Sequence, residues 1–371
     1  MLTKADDFPI HQTPEPIAYT GPDRNFYDRY FYNGYALEGE DIFFACAMGQ
    51  YPALNVTDAA FCIIKDGKQH SVLASRELGF ERVDTTVDPI DIDVVEPLVK
   101  HRITVAKNKA GIEAELTFQR RSVAVEEPRF TYRQGTRIIL DYTRLTQFGE
   151  WSGWISLNGT RIEVTPETFY GTRDRSWGIR PVGAADPQPV APPPEPQFYW
   201  LWAPLNFEGG GSLFHVNENA EGVPWARSAQ WVPLLPAAPR ELKDGRATLT
   251  FQSGTRHAKT AELFLFDERG ETSVRLTPRY KFFMRGVGYM HPERNHGSYH
   301  GAHSVTHEVL DLATLNEGDL YSTHIQAIVD AEMTGPLCEG GGTRKGRGIL
   351  EQLIIGRHEP SGFTDFLSLA P

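Results

Sequence analysis

Proline and glycine, with 26 and 34 copies in 371 residues, constrain the folding of this chain more than any other feature. Because each of them interrupts a regular helix, few windows remain in which helical periodicity could develop. Short runs of β-forming residues lie between them, such as Ala60–Lys65 and Lys68–Leu73. Asp66-Gly67 separates these two runs and Asn158-Gly159 separates another pair, which favours tight type I′ hairpins. The pattern predicts an all-β chain built as antiparallel sandwiches or barrels.

A proline-dense segment from Pro181 to Pro196 divides the chain into two hairpin-rich halves. Such a segment favours extended polyproline geometry, which acts as a stiff spacer between domains. We therefore predict an irregular N-terminal arm over 1–25, a first β domain over 26–180, a linker over 181–197 and a second β domain over 198–371. A surface loop inside one large β domain remains the alternative.

Charge and cysteine content limit the partners and the compartment. The net charge of −11 argues against nucleic acid and anionic membranes as partners. The N-terminus lacks a signal-peptide core, and no apolar run is long enough for a membrane helix. Cys46, Cys62 and Cys338 are scattered and odd in number, which fits a reducing cytoplasm. We predict a cytoplasmic protein without nucleic-acid binding or membrane insertion, and leave open whether it forms a homodimer.

A compact motif, Gly171–Arg180, ends the first half. On a regular strand, alternation places Thr172, Asp174 and Ser176 on one face and Arg173, Arg175 and Trp177 on the other. One face could then offer the Asp174 carboxylate to a cavity, while Arg175 and Trp177 stack or bind substrate on the other. The structural alternative is that tryptophan and arginine close a barrel end and that Asp174 pairs with a neighbouring arginine.

Five of the twelve histidines lie between His291 and His307. A metal site is the first hypothesis, because imidazole is a common ligand. On a strand, however, His303 and His307 lie roughly 13 Å apart, too far to chelate one ion. We predict no metal site and keep a histidine-bound metal enzyme as a weaker alternative. His291 and His296 bracket a proline-containing loop and are candidates for proton transfer, whereas we predict that His300, His303 and His307 are surface or hydrogen-bonded structural histidines.

Three motifs carry a resemblance to a known family: Gly171–Arg180, His291-Pro292 with His296-Gly297, and the closing Gly346–Gln352. They resemble the two-domain lipocalin-like family of carotenoid 1,2-hydratases, tocopherol cyclases, kievitone hydratase and Diels–Alderases. They are most similar to its bacterial branch with an Asp-Arg-Ser-Trp-Gly signature. The resemblance implies two lipocalin-like (calycin-type) domains, an apolar site near their interface and no organic cofactor. Members of the family add water across an alkene or fold a polyene for cyclisation.

From this resemblance and the residues together we expect a cofactor-free hydratase, lyase, isomerase or cyclase acting on an apolar or aromatic small molecule. Asp174 would be the acid if burial raises its pKa, and His296 or His291 would relay the proton or orient the nucleophile. Tyr299 could donate a hydrogen bond to a substrate oxygen. The expected substrate-binding residues are Trp177, Arg175, Tyr299 and Glu308. A non-catalytic carrier of the same class of ligand remains the alternative.

Overall fold

A computed structural model describes residues 1–186, 188, 191–192, 195–338 and 340–371 of the protein. The predicted linker lies in part outside these residues, at positions 187, 189–190 and 193–194. The predicted N-terminal arm contains a short 3-10 helix, Lys4–Asp7, and the first strand begins at Phe26. Further 3-10 helices lie at Pro52–Leu54, Met284–Val287, Leu320–Ser322 and Glu359–Ser361.

Fourteen strands of the described chain form the first sheet. They are β1 (Phe26–Ala36), β2 (Phe43–Tyr51), β3 (Val56–Lys65), β4 (Lys68–Glu77), β5 (Thr86–Val87), β6 (Ile90–Glu96), β7 (Lys100–Val105), β8 (Ile112–Arg120), β9 (Val125–Glu126), β10 (Phe130–Gln134), β11 (Arg137–Leu157), β12 (Thr160–Val164), β13 (Phe169–Ile179) and β21 (His303–Asp311). Their order is β21-β4-β3-β2-β1-β13-β11-β8-β7-β6-β5, and the short strands β9, β10 and β12 pair with β11.

Nine strands of the described chain form the second sheet. They are β14 (Phe198–Phe207), β15 (Gly210–Glu218), β16 (Pro224–Pro233), β17 (Arg240–Glu241), β18 (Asp244–Phe251), β19 (Ala258–Asp267), β20 (Gly270–Phe283), β22 (Ile325–Thr334) and β23 (Thr343–Ile355). Their order is β17-β16-β15-β14-β23-β22-β20-β19-β18.

Both sheets curl until strands far apart in the sheet order meet. In the first sheet, the Arg76 guanidinium on β4 donates to the Thr86 carbonyl on β5 at 2.8 Å. In the second, the Leu242 N–H, which precedes β18, donates to the Ala229 carbonyl on β16 at 2.9 Å. The prediction of an all-β chain with two antiparallel, barrel-like lipocalin domains is therefore confirmed.

The tight hairpins form where the dipeptides predicted them. Asp66 and Gly67 have φ values of 51° and 70°, and Asn158 and Gly159 have 51° and 83°. Positive φ at both central residues is what a type I′ turn requires, and asparagine, aspartate and glycine tolerate it best. These turns set the register of β3 with β4 and of β11 with β12.

One strand from the second half of the chain belongs to the first sheet. β21 pairs antiparallel with β4, from His303 opposite Arg76 to Asp311 opposite Lys68. The sequence prediction placed these residues in the second β domain, because a short strand pattern does not reveal which sheet edge it joins. The chain thus leaves the second sheet after β20, adds an edge strand to the first sheet and returns at β22.

Two apolar cores lie inside the barrels and further clusters lie between the sheets. Trp151 and Phe118 belong to the core of the first barrel, and Leu263 belongs to that of the second. Between the sheets, the rings of Phe43 and Phe282 lie 4.8 Å apart. Because alternate residues of each strand face opposite ways, the inner residues fill the barrels and the outer residues meet at this interface.

All three cysteines are buried and free of disulfide bonds. Within the described ranges, no helix has the length and apolar character needed to cross a membrane.

Candidate active site between the two sheets

β13 presents its two faces to different surroundings, as the predicted alternation requires. Arg173 faces the first barrel, where its Nε donates to Gln147 Oε1 at 2.8 Å. Arg175 shares that side, with its guanidinium 5.0 Å from the centre of the Tyr30 ring. Asp174 points the opposite way, toward the second sheet, where the carboxylate of Glu351 on β23 influences its ionisation. The candidate site is therefore built from the residues that face the Asp174 side of β13.

Asp174 is a carboxyl group without a fixed partner. It is only half-buried, and no other side chain or backbone N–H within the described part of the chain hydrogen-bonds to it. Burial raises the pKa of Asp174 to about 7, and the carboxylates of Glu351 and Glu127 act in the same direction. Arg144 and Arg180 oppose this shift. Near neutral pH the group can therefore either donate or accept a proton.

Among the charged residues, Arg144 has the largest effect on the pKa of Asp174, but its guanidinium is paired with another carboxylate. Arg144 makes a bidentate pair with Glu127, with Nε–Oε1 and Nη2–Oε2 distances of 2.9 and 2.5 Å. His215 Nδ1 lies 2.9 Å from Glu127 Oε2. Although burial opposes it, Arg144 and His215 hold the pKa of Glu127 well below its usual range. Arg144 thus neutralises Glu127 and leaves the Asp174 carboxyl without an ion pair.

Arg180, the last residue of the β13 motif, lies between two tyrosine rings. Its guanidinium carbon is 4.3 Å from the ring centre of Tyr27 and 5.3 Å from that of Tyr289. Arg180 Nη1 lies 3.5 Å from the Tyr289 hydroxyl. Among the described residues, neither Arg180 Nη2 nor the Tyr27 hydroxyl has a hydrogen-bond partner, although both atoms are buried. A buried donor of this kind costs free energy unless a polar group reaches it.

Glu351 is a fixed anion on the second-sheet side of the site. Its carboxylate accepts hydrogen bonds from His324 Nε2 at 2.9 Å, Trp200 Nε1 at 3.0 Å and Gln326 Nε2 at 2.8 Å. Burial alone would raise the pKa of Glu351, but these donors, with His324 first, lower it. Glu351 therefore stays ionised while Asp174 can carry a proton, so the two carboxyl groups have different chemical roles.

His296 is a neutral imidazole with a fixed tautomer. Arg29 Nη1 lies 2.7 Å from His296 Nδ1, and a guanidinium can only donate, so Nδ1 accepts and the proton resides on Nε2. Burial, together with Arg29 and Arg180, holds the pKa of His296 well below its usual range. Within the described residues, Nε2 has no partner. His296 can thus donate one hydrogen bond.

His296 joins the Asp174 region through Tyr289 and Arg180 rather than by direct contact. The imidazole lies 4.1 Å from the Tyr289 ring, edge to face. Arg180 influences the ionisation of both His296 and Asp174. Asp174 and His296, two of the predicted catalytic residues, therefore belong to one inter-sheet cluster that is defined by the charge effect of Arg180 on both of them.

The remaining catalytic candidate, His291, lies in a turn outside this cluster. Its Nδ1 accepts the backbone N–H groups of Glu293 and Arg294, at 3.0 and 2.8 Å. Its Nε2 lies 3.9 Å from Glu308, whose carboxylate accepts from Arg285 at 2.5 Å. His291 and Glu308 thus form a separate group with Arg285, and the geometry gives His291 a role in shaping the loop.

The other predicted substrate-binding residues also lie away from Asp174. Tyr299 is 60% exposed, and its hydroxyl donates to Glu77 at 3.0 Å on the protein surface. Arg175 pairs with Asp28 at 2.9 Å and lies 5.3 Å from the Trp177 ring. These contacts place Arg175 and Trp177 on the barrel-facing side of β13, across the sheet from the inter-sheet site.

The histidine-rich segment does not form a ligand set. Across the described ranges, no three histidine, cysteine, aspartate or glutamate side chains converge as metal ligands would. His303 and His307 lie on β21, with His303 Nε2 3.1 Å from the Asp88 carbonyl oxygen.

Sequence reasoning overlooked most of the groups around Asp174 and His296, among them Arg180, Glu351, Tyr289 and His324. Arg180 and Glu351 lie inside motifs that were already singled out, Gly171–Arg180 and Gly346–Gln352. Arg180 is the last residue of the first motif and Glu351 is the only acidic residue of the second, and both facts could have drawn attention to them. Tyr289 and His324 had no such signal, because only the pairing of distant strands brings them to Arg180 and Glu351.

Two curled antiparallel barrels, with a half-buried carboxyl between them that lacks a partner in the described chain, define a two-domain lipocalin-like protein. The chain belongs to a family of unknown function (DUF8625), whose profile matches residues 2–364. No protein of curated function matches it in sequence at a significant level.

Solved structures share this fold at low sequence identity. An AttH-type protein from Nitrosomonas europaea aligns with a TM-score of 0.53 and 13% identity, over 88% of this chain and 92% of that one. Kievitone hydratase from Nectria haematococca aligns with a TM-score of 0.49 and 10% identity, over 88% of each chain. The first alignment supports the two-domain fold.

Proposed function

We propose that the chain is a cofactor-free enzyme that protonates a C=C bond of an apolar or aromatic small molecule between the two sheets, with Asp174 as the acid. The observation that carries this proposal is the Asp174 carboxyl itself. It lacks a hydrogen-bond partner in the described chain, and burial raises its pKa to about 7. A general acid works best when its pKa lies near the operating pH. The family resemblance of the β13 motif supports the same chemistry.

The proposed step begins with Asp174 protonated. The π electrons of the alkene form the new C–H bond, Asp174 becomes a carboxylate, and the neighbouring carbon carries the positive charge. Attack by water on that carbon, with return of one proton to Asp174, gives hydration. Loss of a neighbouring C–H proton to Asp174 instead gives an isomer. In both outcomes the enzyme ends in its starting protonation state.

Charges of both signs act on Asp174: the carboxylate of Glu351 would favour a developing positive charge there, whereas the guanidinium groups of Arg144 and Arg180 would oppose it. The fixed carboxylates of Glu351 and Glu127 both act on this position. The Trp200 ring lies beside Glu351, to which its Nε1 donates at 3.0 Å. Negative charge and π faces held in place before the reaction stabilise a cation without reorganisation. Glu351, which helps to raise the pKa of Asp174 and is not paired with an arginine of the described chain, would thus stabilise the intermediate that the Asp174 proton creates.

Arg180 and Tyr27 would orient the substrate through an oxygen atom. Both present a buried donor without a partner among the described residues, and their side chains stack at 4.3 Å. A substrate with a carbonyl or phenolic oxygen would satisfy these donors, while its apolar body contacts the aromatic rings. His296 would donate its Nε2–H to an ordered water in the same cluster. These roles make Arg180 and His296 positioning residues rather than acids.

Deuterium incorporation tests the proposal directly. Styryl and trisubstituted alkenes are incubated with the protein in D2O, and mass spectrometry follows deuterium at carbon. We expect Asp174→Asn to lower the rate by at least about 100-fold. Asp141→Asn is the matched control, because Asp141 lies on the neighbouring strand β11 and pairs with Arg129 at the surface. Full incorporation by a folded Asp174→Asn protein would remove Asp174 from the mechanism.

A carrier of the same class of ligand is the second candidate. The unsatisfied donors of Arg180 and Tyr27 would bind a ligand oxygen without any chemical step. A native mass spectrum of the purified protein separates the two functions. A co-purifying organic ligand that is retained by Asp174→Asn, and that the wild-type protein does not convert, would favour the carrier.

A further inference from the structure

A cleft lies at the mouth of the first barrel, on the side of β13 opposite to Asp174. It has a volume of about 710 Å³. Tyr30, Met48 and Arg175 line it from the barrel strands, and the N-terminal arm covers it with Phe8 and Ile17. Because the sheet containing β13 separates this cleft from the inter-sheet site, its ligand would not contact Asp174.

The cleft carries more positive than negative charge. Arg82 and Arg175 share a single carboxylate, Asp28, at 3.3 and 2.9 Å. Two further charged residues line the cleft, Lys4 and Asp93, and Asp93 pairs with Arg102 at 2.9 Å. One carboxylate therefore serves two guanidinium groups, which leaves an unbalanced positive charge at the barrel mouth.

A third arginine lies one layer deeper on the same face of β13. Arg173 is 1% exposed, and its Nε donates to the neutral Gln147 side chain at 2.8 Å. No carboxylate of the described chain pairs with Arg173, and its buried Nη2 has no hydrogen-bond partner there. Burial lowers the pKa of Arg173, as expected for a charge without a counter-ion. A buried guanidinium in this condition is stabilised by any anion that reaches it.

A neighbouring histidine has one ring nitrogen without a hydrogen-bond partner in the described chain. His101 is 3% exposed, and its Nδ1 lies 2.6 Å from the Tyr32 hydroxyl. Burial, with Arg173 and Arg175, lowers the pKa of His101 to about 3, so the ring is neutral. Its Nε2 has no partner in the described chain. The ring lies 6.5 Å from that of Tyr30, which links this deeper layer to the wall of the cleft.

The N-terminal arm offers apolar surface to the cleft. Phe8 and Ile10 line it while remaining 60% and 53% exposed. A polar contact joins the arm to the first barrel, with the Lys4 N–H donating to the Glu81 carboxylate at 3.1 Å. Apolar side chains that are fixed beside an open cleft, rather than packed in a core, provide a contact surface for an apolar ligand.

We propose that the mouth of the first barrel binds a small carboxylate with an apolar body, such as a medium-chain fatty acid or an arylalkanoic acid. Its carboxylate lies toward Arg175 and Arg173, and its apolar part lies against Tyr30, Met48 and the N-terminal arm. The site is independent of the proposed chemistry at Asp174. Binding energy comes from anion pairing in a partly desolvated barrel together with burial of the apolar body.

Calorimetric titration of the full chain tests this site. Octanoate and 4-phenylbutanoate are the probes, and octanol is the uncharged match of the first. We expect one equivalent of acid to bind, at least about ten-fold more tightly than octanol. Arg173→Gln and Arg175→Gln should each weaken octanoate by about ten-fold or more and leave octanol unchanged. Arg161→Gln is the control, because Arg161 is 54% exposed on the same barrel and pairs with Glu163.

Arg175 keeps the test decisive if the buried Arg173 variant does not fold, because the Arg175 side chain is 29% exposed at the wall of the cleft. Equal affinities for octanoate and octanol would overturn the proposal. Unchanged octanoate affinity in the folded arginine variants would do the same. So would the failure of both acids to bind.

Discussion

The guanidinium of Arg29 lies 2.7 Å from Nδ1 of His296, between β1 and the loop that follows β20. Because arginine only donates, this contact fixes the imidazole as the neutral Nε2–H tautomer and joins the first sheet to the second half of the chain. A histidine held in this way positions other groups and does not take up a second proton.

The ionisation of His296 should therefore be suppressed. Burial and two arginines lower its folded-state pKa, so the neutral form is favoured in the native protein. A histidine whose folded pKa is depressed contributes stability above its unfolded pKa, near 6.5, and this stability is lost as the pH falls below it. We expect 15N NMR to show the Nε2–H tautomer throughout pH 6 to 8. An imidazolium signal at pH 6 would contradict the assignment.

Asp174 should make the protein less stable as the pH rises. Its folded pKa, about 7, lies above the ordinary value of 3.8. Stability linked to the protonated form is complete below the unfolded pKa and is lost as the pH rises through the folded pKa. Asp174→Asn should thus stabilise the protein by about 1–3 kcal/mol more at pH 8 than at pH 4, allowing for partial exposure. Urea unfolding at both pH values measures the difference, and a difference that does not vary with pH would contradict the raised pKa.

The two charges that flank Asp174 should shift its pKa in opposite directions. Arg180 lowers the pKa of Asp174, whereas Glu351 raises it. Arg180→Gln should therefore raise the Asp174 pKa above its wild-type value, and Glu351→Gln should lower it. 13C NMR of labelled aspartate reads both shifts. Shifts of the same sign would contradict the opposite effects of these two charges on Asp174.

The buried pair of Arg144 and Glu127 should be stabilising only as a pair. Glu127 is fully buried, and it also accepts a 2.6 Å hydrogen bond from Thr146. Arg144→Met should lower the free energy of unfolding by about 3–5 kcal/mol, because it leaves a buried carboxylate without its main partner. The double variant Arg144→Met/Glu127→Leu should recover part of this loss. Urea denaturation of both variants checks the coupling, and additive losses would contradict it.

Local signals in the sequence were sufficient to predict the fold class. Asp66-Gly67 and Asn158-Gly159 specify turns through their own backbone preferences, so each hairpin could be placed without knowledge of the rest of the chain. The position of β21 could not be predicted in this way. Its pairing with β4 joins residues more than two hundred positions apart, and nothing in its own alternation identifies the sheet edge that it completes.

For the candidate site, the sequence could predict only which side chains of β13 share a face. Alternation on β13 separates Asp174 from Arg175, and the structure shows the same separation. Glu351 and Arg144, which act on Asp174 through their charge, come from other strands, and their position depends on how the sheets form and pack face to face. Glu351 and His324 meet because β22 and β23 pair in a particular register. A short motif does not encode packing of this kind. The sequence alone therefore could not show that Tyr299 and Glu308 lie outside the site.

The protonation of Asp174 is the central claim, and it can be measured without knowing the substrate. Aspartate labelled with 13C at the carboxyl carbon is introduced into the protein, and the Asp174 signal is assigned by its absence in Asp174→Asn. Titration by NMR from pH 4 to pH 9 should give a pKa of about 7 for this carboxyl. A pKa near the ordinary value of 3.8 would mean that Asp174 is ionised at neutral pH and cannot be the acid.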